Sequence, residues 1–363
     1  MPTAKKLSNA RIAKKDEFHT SWSDIEKEIM SYIDYNPTLF LDKTILLPTD
    51  IPFTSNFFKF FFVHFKDFGI KKLIAIGINK ESEEYSYMAT VTKDIFKSTC
   101  GDTVSISDVD KMLNMEKDKL ERGKSSNLLS YVKRDSQYPA GDFRSSLTLE
   151  LRDKSDFVIT NPPFSLFRLF FDWIEPLKRK FLILATINVC TYKNVFPYIE
   201  CNEVWLGKTI HSGDREFRVP SNYPINTKNY RVDSRGVTFI RVTGIRRLTN
   251  IDYGNHYQPL SLMTWDENVK HSKHKQVRGI GYEHYSNYDA IEVPYTDAIP
   301  SDYRGVMAVP ITFLDKCDSS SFEFVSFKKD SKGNVVESYN TVGSNMMVKP
   351  FGNPEINGRY PYR

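Results

Sequence analysis

The chain is poor in cysteine. Its 363 residues hold four, Cys100, Cys190, Cys201 and Cys317, widely scattered and with no C-x-x-C pair. That spacing argues against both a zinc site and a disulfide framework, so no metal is expected and a reducing cytoplasm fits. Long apolar runs are missing too. No stretch of about 18 apolar residues occurs, and Met1 to Lys15 is basic without the apolar core of a signal peptide. The expectation is a soluble protein that is not exported and has no membrane partner. No internal repeat or low-complexity tract is evident. Nor is there a strong excess of one charge: 50 Lys and Arg against 45 Asp and Glu leave +5. So mild a balance hints at a polyanionic partner without establishing one.

What is present is enough apolar material, 40% of the residues, for a sizeable core in a chain longer than one typical domain. One large domain with an appended module is expected. Ile25, Ile29, Tyr32 and Ile33 recur at helical spacing and predict a helix over Ser23 to Tyr35. Lys43 to Pro48 reads as a buried strand, Asn56 to Phe68 as a phenylalanine-rich buried helix ending at Gly69, and Lys72 to Ile78 as a second strand. Strand, loop, helix, strand is a βαβ unit of the parallel kind. Residues 81 to 140 are polar and charged, with a helix around Val109 to Leu120, and read as an insertion over the sheet edge. The pattern resumes with a strand at Asp156 to Thr160, a helix from Leu166 to Leu177 and a strand from Phe181 to Asn188. Two further strands are expected at Glu203 to Leu206 and Gly236 to Val242, the last as an antiparallel edge. The predicted fold is therefore α/β: a doubly wound, mostly parallel, Rossmann-like sheet with an antiparallel edge strand, followed by a C-terminal α+β region. A boundary near residue 246 divides the chain into 1–245 and 246–363.

The most informative residues are Asn161-Pro162-Pro163-Phe164, directly after the β-branched run Phe157-Val158-Ile159-Thr160. At ordinary amino-acid usage such a string arises by chance in about one chain of this length in a thousand. Two prolines fix φ and remove two backbone donors, leaving a turn rich in acceptors. An exocyclic amino group offers only donors. The Pro162 carbonyl and the Asn161 side-chain oxygen can take both of its N–H bonds, and Phe164 can stack on an attached ring. The plain alternative is that Asn-Pro starts a turn and the prolines end a strand.

In a doubly wound sheet ligands sit beyond the carboxyl ends of the strands, so the loops at 48–56, 78–81 and 161–164 should share a crevice. The first carries Asp50, Pro52, Ser55 and Asn56, which suit a ligand or, equally, a helix N-cap. It lacks the glycines that usually admit a nucleotide cofactor. Gly141-Asp142-Phe143 offers an acid for an adenine amino group and a ring to cover it, against the plain reading of a Gly-Asp turn. Asn79 and Glu81 both stand after the second strand. A basic run, Lys270 to Arg278, and the crowd of Arg231, Arg235, Arg241, Arg246 and Arg247 suggest phosphate contact, or else solvated faces. Tyr253, Tyr257, Trp265 and Tyr282 suit core packing, with filling of a vacated base position as the alternative.

Taken in order, Asp16-Glu17-Phe18-His19-Thr20, Ser55-Asn56-Phe57-Phe58-Lys59, Lys71-Lys72-Leu73-Ile74-Ala75, Gly141-Asp142-Phe143 and Asn161-Pro162-Pro163-Phe164 resemble the EcoRI-type family of adenine-specific DNA methyltransferases. Val204-Trp205-Leu206-Gly207, Phe217-Arg218-Val219-Pro220, Gly305 to Leu314 and Asn353 to Gly358 extend the resemblance over nearly the whole chain. It implies transfer of methyl from S-adenosylmethionine to adenine N6 in duplex DNA, within a short site and with base flipping. Asn161, Pro162, Pro163 and Phe164 would be catalytic. Phe18, Thr20, Asp50, Pro52, Ser55, Asn56, Asp142 and Phe143 would bind cofactor, and Arg215, Arg218, Lys270, Lys273, Lys275 and Arg278 would contact DNA. A cognate restriction endonuclease acting separately, and the cytoplasm of a prokaryotic or phage-infected cell, complete the expectation. Alternatives are methylation of RNA or of a protein glutamine, and a catalytically silent DNA-binding relative.

Overall fold

A computed structural model describes residues 21–99, 104–210, 215–218, 229–254, 261–286, 289–316, 322–325, 328–329, 335–337 and 345–350. Its chain divides into two compact units, Met1–Thr186 with Gly207–Gly254, and Ile187–Leu206 with Asn255–Arg363.

The first unit begins with helix α1 (Trp22–Tyr35), capped by Ser21, which buries Ile25, Ile29 and Tyr32 along one stripe. Strand β1 (Thr44–Leu47) is buried at every residue. Helix α2 (Asn56–Val63) buries Phe57, Phe58, Phe60, Phe61 and Phe62, and its N-cap Ser55 accepts from Phe58 N at 3.0 Å. The helix ends before the expected limit, and turns carry the chain on to Gly69, whose φ of +62° suits a residue without Cβ. Strand β2 (Lys72–Ile76) follows. β1 runs parallel to β2 and also to β5 (Phe157–Thr160), which runs parallel to β6 (Lys180–Thr186). Continuous apolar runs such as Thr-Ile-Leu-Leu and Phe-Val-Ile-Thr are what strands covered on both faces require.

The segment between β2 and β5 does not lie over the sheet edge; it extends the sheet. β3 (Tyr85–Thr92) pairs antiparallel with β2, and β4 (Leu129–Lys133) antiparallel with β3. Helix α3 (Lys93–Thr99) and helix α4 (Ile106–Glu121) stand between them in sequence, α4 with a Ser105–Asp108 capping box. Helix α5 (Ser146–Asp153) precedes β5, and helix α6 (Phe167–Ile174) links β5 to β6. The central order β2-β1-β5-β6 means that the chain winds outward in opposite directions from β1 and from β5. Right-handed crossovers then set α2 and α6 on opposite faces and leave a switch point between β1 and β5.

In the second unit, residues after Thr186 supply α7 (Phe196–Glu200) and β7 (Trp205–Leu206). Returning to the first unit, β8 (Arg215–Arg218), β9 (Tyr230–Val232) and β10 (Thr238–Val242) form a separate antiparallel sheet, ordered β8-β10-β9. The expected edge strand at 236–242 is therefore the middle of this small sheet. The antiparallel neighbour of β6 is instead β11 (Ile245–Thr249), entered through Gly244 at φ +66°. All five β11 residues are buried, whereas β10 is half exposed, so β11 is the strand that a covered sheet can take up. Its two arginines disguise it in the sequence.

Of those arginines, Arg247 is 1% exposed and bonds Glu28, itself 0% exposed, at 3.1 Å. Glu28 also accepts from Tyr32, from the amides of Lys208 and Thr209, and from the Thr209 hydroxyl. Arg246 is buried as well. Neither is the solvated phosphate-binding arginine that a charge cluster suggests. Arg231 pairs with Glu216 at 2.7 Å and Arg235 with Asp233 at 3.4 Å.

The second unit continues with α8 (Trp265–His271), then β12 (Ala290–Glu292), β13 (Val306–Pro310), β14 (Phe322–Phe324), β15 (Lys328–Lys329), β16 (Val335–Glu337) and β17 (Asn345–Pro350). Four of them form a sheet ordered β12-β13-β17-β14, around Ala290, Ala308 and Met347. It is an α+β arrangement. Among the described residues no helix is long and apolar enough to cross a membrane.

Candidate active site

The carboxyl ends of β1 and β5 meet at the switch point, and the residues just beyond them are joined by hydroxyl hydrogen bonds. Thr49 Oγ1 lies 2.6 Å from Thr160 Oγ1 and donates to the Asn161 carbonyl at 3.0 Å. Thr160 in turn donates to Asp50 Oδ2 in a short bond, and Ser55 donates to Asp50 Oδ1 at 2.6 Å. Asp50 is anchored by its own backbone, whose amide donates to the Ile76 carbonyl of β2. Three strand ends thus converge on one residue, Asp50, and the cap of α2 hangs from its carboxylate.

A cavity of about 390 Å³ opens here, within the range of about 300–1,000 Å³ usual for small-molecule sites. The β1–α2 loop contributes Thr49, Asp50, Ile51, Phe53, Thr54 and Ser55; the segment after β2 contributes Asn79, Lys80 and Glu81; Asn161 closes the β5 side. The fourth wall comes from the antiparallel flank, with Tyr87 of β3 and Asn114 and Lys117 of α4. Phe53 and Tyr87 meet edge to face at 5.1 Å, and the Lys117 ammonium lies 5.5 Å and 5.7 Å from their ring centres. Burial raises the Tyr87 phenol well above its ordinary value, and hydrogen bonds with Tyr131 and Glu121 raise it further.

The sequence missed this wall. The signals were there: Asn114 and Lys117 stand three apart on one face of a capped helix, and Tyr85, Tyr87 and Ala89 share one face of an alternating strand.

The Asn161-Pro162-Pro163-Phe164 turn occupies the expected place at the end of β5. Pro162 and Pro163 are buried, and Pro163 caps a short 3₁₀ turn, Phe164–Leu166, that leads into α6. Phe164 is half-buried and packs against Leu184, Phe217 and Ile245. Of the other expected cofactor residues, Asp50 and Ser55 line the cavity, Pro52 is buried and does not line it, and Asn56 opens α2. Phe18 and Thr20 lie outside the described residues.

Asp142 and Phe143 are placed differently. Asp142 has no exposed surface, and Arg144 engages both of its oxygens, Nε at 2.9 Å and Nη2 at 2.7 Å. Phe143 is equally buried, edge-on to Phe170 at 5.0 Å and to Trp173 at 5.7 Å. Neither lines the cavity. Their loop is nonetheless pressed onto the end of β2: a Cβ on Gly141, at φ +78°, would stand 2.1 Å from the Gly77 carbonyl oxygen.

A nucleoside-bearing ligand needs donors and acceptors at this cavity, and the chain supplies both. The Asn79 carboxamide oxygen accepts from Glu81 N at 3.0 Å, which fixes the side chain, while its buried Nδ2 finds no acceptor among the described residues. A ribose hydroxyl or ring nitrogen would satisfy that donor.

The basic residues expected to meet DNA are not among those that line the cavity. Lys270, Lys275 and Arg278 are exposed on α8 and the segment after it; Lys273 pairs with Asp297 at 2.6 Å, and His274 bonds Asp297 at 2.8 Å while stacking on Tyr295. Arg215 and Arg218 are the two ends of β8. Tyr253 and Tyr282 are buried, Trp265 packs on Tyr282 and Tyr303, and Tyr257 lies outside the described residues.

Residues 6–363 match the family model described as adenine-specific methyltransferase EcoRI. The chain is 37% identical to the type II methyltransferase M.EcoRI of Escherichia coli over 335 residues, covering 90% of each chain. It is 29% identical to the type II methyltransferase M.MpnI of Mycoplasma pneumoniae, covering 94% of this chain and 91% of that one. Among solved structures, a precorrin-6y C5,15-methyltransferase from Geobacter metallireducens overlaps 65% of the chain with 12% identity and a TM-score of 0.26, too slight a likeness to carry fold or function. With the match running from residue 6 to the last residue, the chain belongs to the EcoRI family of adenine-specific methyltransferases.

Proposed function

We propose that this protein transfers a methyl group from S-adenosylmethionine to N6 of an adenine in duplex DNA, within a short recognition sequence, after the base has been flipped from the helix. The observation that carries the reading is Asn161 standing at the β1/β5 switch point and lining a cavity of about 390 Å³ together with Asp50, Ser55, Asn79 and Glu81.

Bound there, S-adenosylmethionine supplies an already electrophilic sulfonium methyl. The chain's task is therefore position more than acid–base strength. Holding two reactants in line can remove about 7–11 kcal/mol of a barrier in favourable cases. Asn161 Oδ1 and the Pro162 carbonyl accept the two N6 hydrogens and draw the nitrogen lone pair out of the ring, and Phe164 offers a face to the base. In that transfer the N6–C bond would form as the S–C bond breaks, leaving a thioether, and the surplus N6 proton would pass to solvent water. Asp50 and Ser55 hold the cofactor's end at the β1–α2 loop, and Asn79 and Glu81 take its ribose hydroxyls. Phe18 and Thr20 complete the contacts from the N-terminal side.

Base flipping costs a few kcal/mol, which phosphate contacts offset. Arg215, Arg218, Lys270, Lys273, Lys275 and Arg278 are the residues proposed for that duty, which makes 246–363 the larger part of the DNA-contacting region and 1–245 the catalytic part. A cognate restriction endonuclease acting separately, and a prokaryotic cytoplasm, suit a modification enzyme of this kind.

The test is incubation with labelled cofactor and long unmodified duplex DNA at several salt concentrations, followed by nucleoside analysis. Label in N6-methyladenine is expected. Label only in RNA or in glutamine of added protein, or binding of cofactor without any transfer, would overturn the reading.

A further inference from the structure

Thr160 has no exposed surface and does not line the cavity, yet its hydroxyl sits between the two halves of the site. Each hydroxyl carries one proton, so the bonds can be assigned. A carboxylate only accepts; Asp50 therefore receives the protons of Thr160 and Ser55. Thr160 has then spent its proton, and the 2.6 Å contact with Thr49 requires the Thr49 proton. That same proton also faces the Asn161 carbonyl at 3.0 Å, so Thr49 makes a three-centre bond to Thr160 Oγ1 and Asn161 O. The chain is continuous: Thr49 donates both to the Asn161 carbonyl and to Thr160, Thr160 donates to Asp50, and Asp50 accepts from Ser55, which in turn accepts from the Phe58 amide of α2.

We infer that Thr49 and Thr160 are positioning residues, a hydroxyl relay that sets the Asn161 peptide carbonyl, and with it the Asn-Pro-Pro turn, from the carboxylate of the cofactor loop. The inference rests on the methyl-transfer reading of the same cavity. Its physical content is that the Asn161–Pro162 peptide plane is not fixed by the prolines alone. Proline fixes φ at 162 and 163 and confines Asn161 to extended backbone, but within that broad range ψ of Asn161 is set by what holds its carbonyl. Thr49 holds it. Because Thr49 lies just past the end of β1 and Thr160 is the last residue of β5, a shift of either strand end is passed to the acceptors that face the amino nitrogen.

The experiment compares Thr160→Val, Thr160→Ser, Thr49→Val and Thr49→Ser in the full chain. Methyl transfer to duplex DNA is measured at saturating DNA and cofactor, and binding of S-adenosylhomocysteine is measured separately. Thr160→Val cuts the relay where no ligand can reach. Thr49→Val leaves both bonds to Asp50 in place and removes the three-centre bond to Thr160 and Asn161, so it serves even if Thr160→Val folds poorly. Both valine variants are expected to lose turnover by about tenfold to a hundredfold while the dissociation constant changes by less than about threefold, since small misplacements act on the transition state. Both serine variants are expected to recover most of the loss. Valine variants with full turnover, or a parallel loss of turnover and ligand affinity, or serine variants no better than valine, would overturn the relay. An unsubstituted protein that moves no methyl to adenine would overturn the reading of the site and the relay with it.

Discussion

Thr49 and Asn161 are 112 residues apart in the chain, yet the Thr49 hydroxyl lies 3.0 Å from the Asn161 carbonyl. That contact joins the ends of two parallel strands reached by opposite windings. It makes the site depend on the sheet's register, Leu46 against Val158, as much as on the four residues of the turn.

Glu28 and Arg247 fasten α1 to β11 in the interior. Removing one member of a buried ion pair leaves the other uncompensated and costs about 3–5 kcal/mol. Glu28→Ala is expected to destabilise by that amount in denaturant unfolding. Gly207→Ala should be comparably harmful, because its Cβ would lie 2.3 Å from Glu28 Oε1 and 2.8 Å from Arg247 Cβ. Wild-type midpoints for both variants would contradict the role given to this cluster.

Phe143 supplies a sharper contrast. Fully buried against Phe170 and Trp173, Phe143→Ala should cost about 3–5 kcal/mol of stability through the cavity it leaves. Cofactor affinity, measured below the unfolding transition, should change little. A large loss of affinity without a loss of stability would mean the ring meets the ligand directly.

Glu175 sits at φ +54° after α6, where hydrogen bonds from Arg179 and then Lys178 push its carboxyl down to about 2 from an ordinary 4.5. A depressed carboxyl stabilises the fold above its unfolded value and loses that contribution as pH falls through the folded one. Glu175→Gln should therefore be less stable than wild type above pH 4.5, with the difference closing as pH falls toward about 2. Parallel stability curves through that window would show that the cluster does not couple to folding.

Lys275 and Arg278 are exposed and carry the simplest test of DNA contact. If each meets a phosphate, Lys275→Ala and Arg278→Ala should each flatten the slope of log affinity against log salt by about 1, with little dependence on DNA sequence. Unchanged slopes would remove them from the interface.

Much of the sheet was legible because strands covered on both faces must be continuously apolar. Thr44–Leu47, Lys72–Ile76, Phe157–Thr160 and Lys180–Thr186 announce themselves, and the position of Asn161 at a strand end follows from them. β3 and β4 did not, since strands at a sheet flank alternate polar with apolar and so read as loop. Arg246 and Arg247 misled for a related reason. A charge run is read locally as surface, whereas the partner that lets Arg247 be buried is Glu28, 219 residues earlier. The Asp142–Arg144 pair is two residues apart, but whether such a pair turns inward or toward a ligand depends on packing from α6 that no local pattern encodes.

In the proposed mechanism Asn161 holds the amino group while other residues hold the cofactor. Asn161→Ala tests it most directly, with methyl transfer to duplex DNA and binding of S-adenosylhomocysteine measured on the same preparation. Transfer is expected to fall by at least about a hundredfold, the usual order for loss of one transition-state hydrogen-bonding group, with ligand affinity within a few-fold of wild type. Equal loss of both, or transfer that survives the substitution, would contradict it.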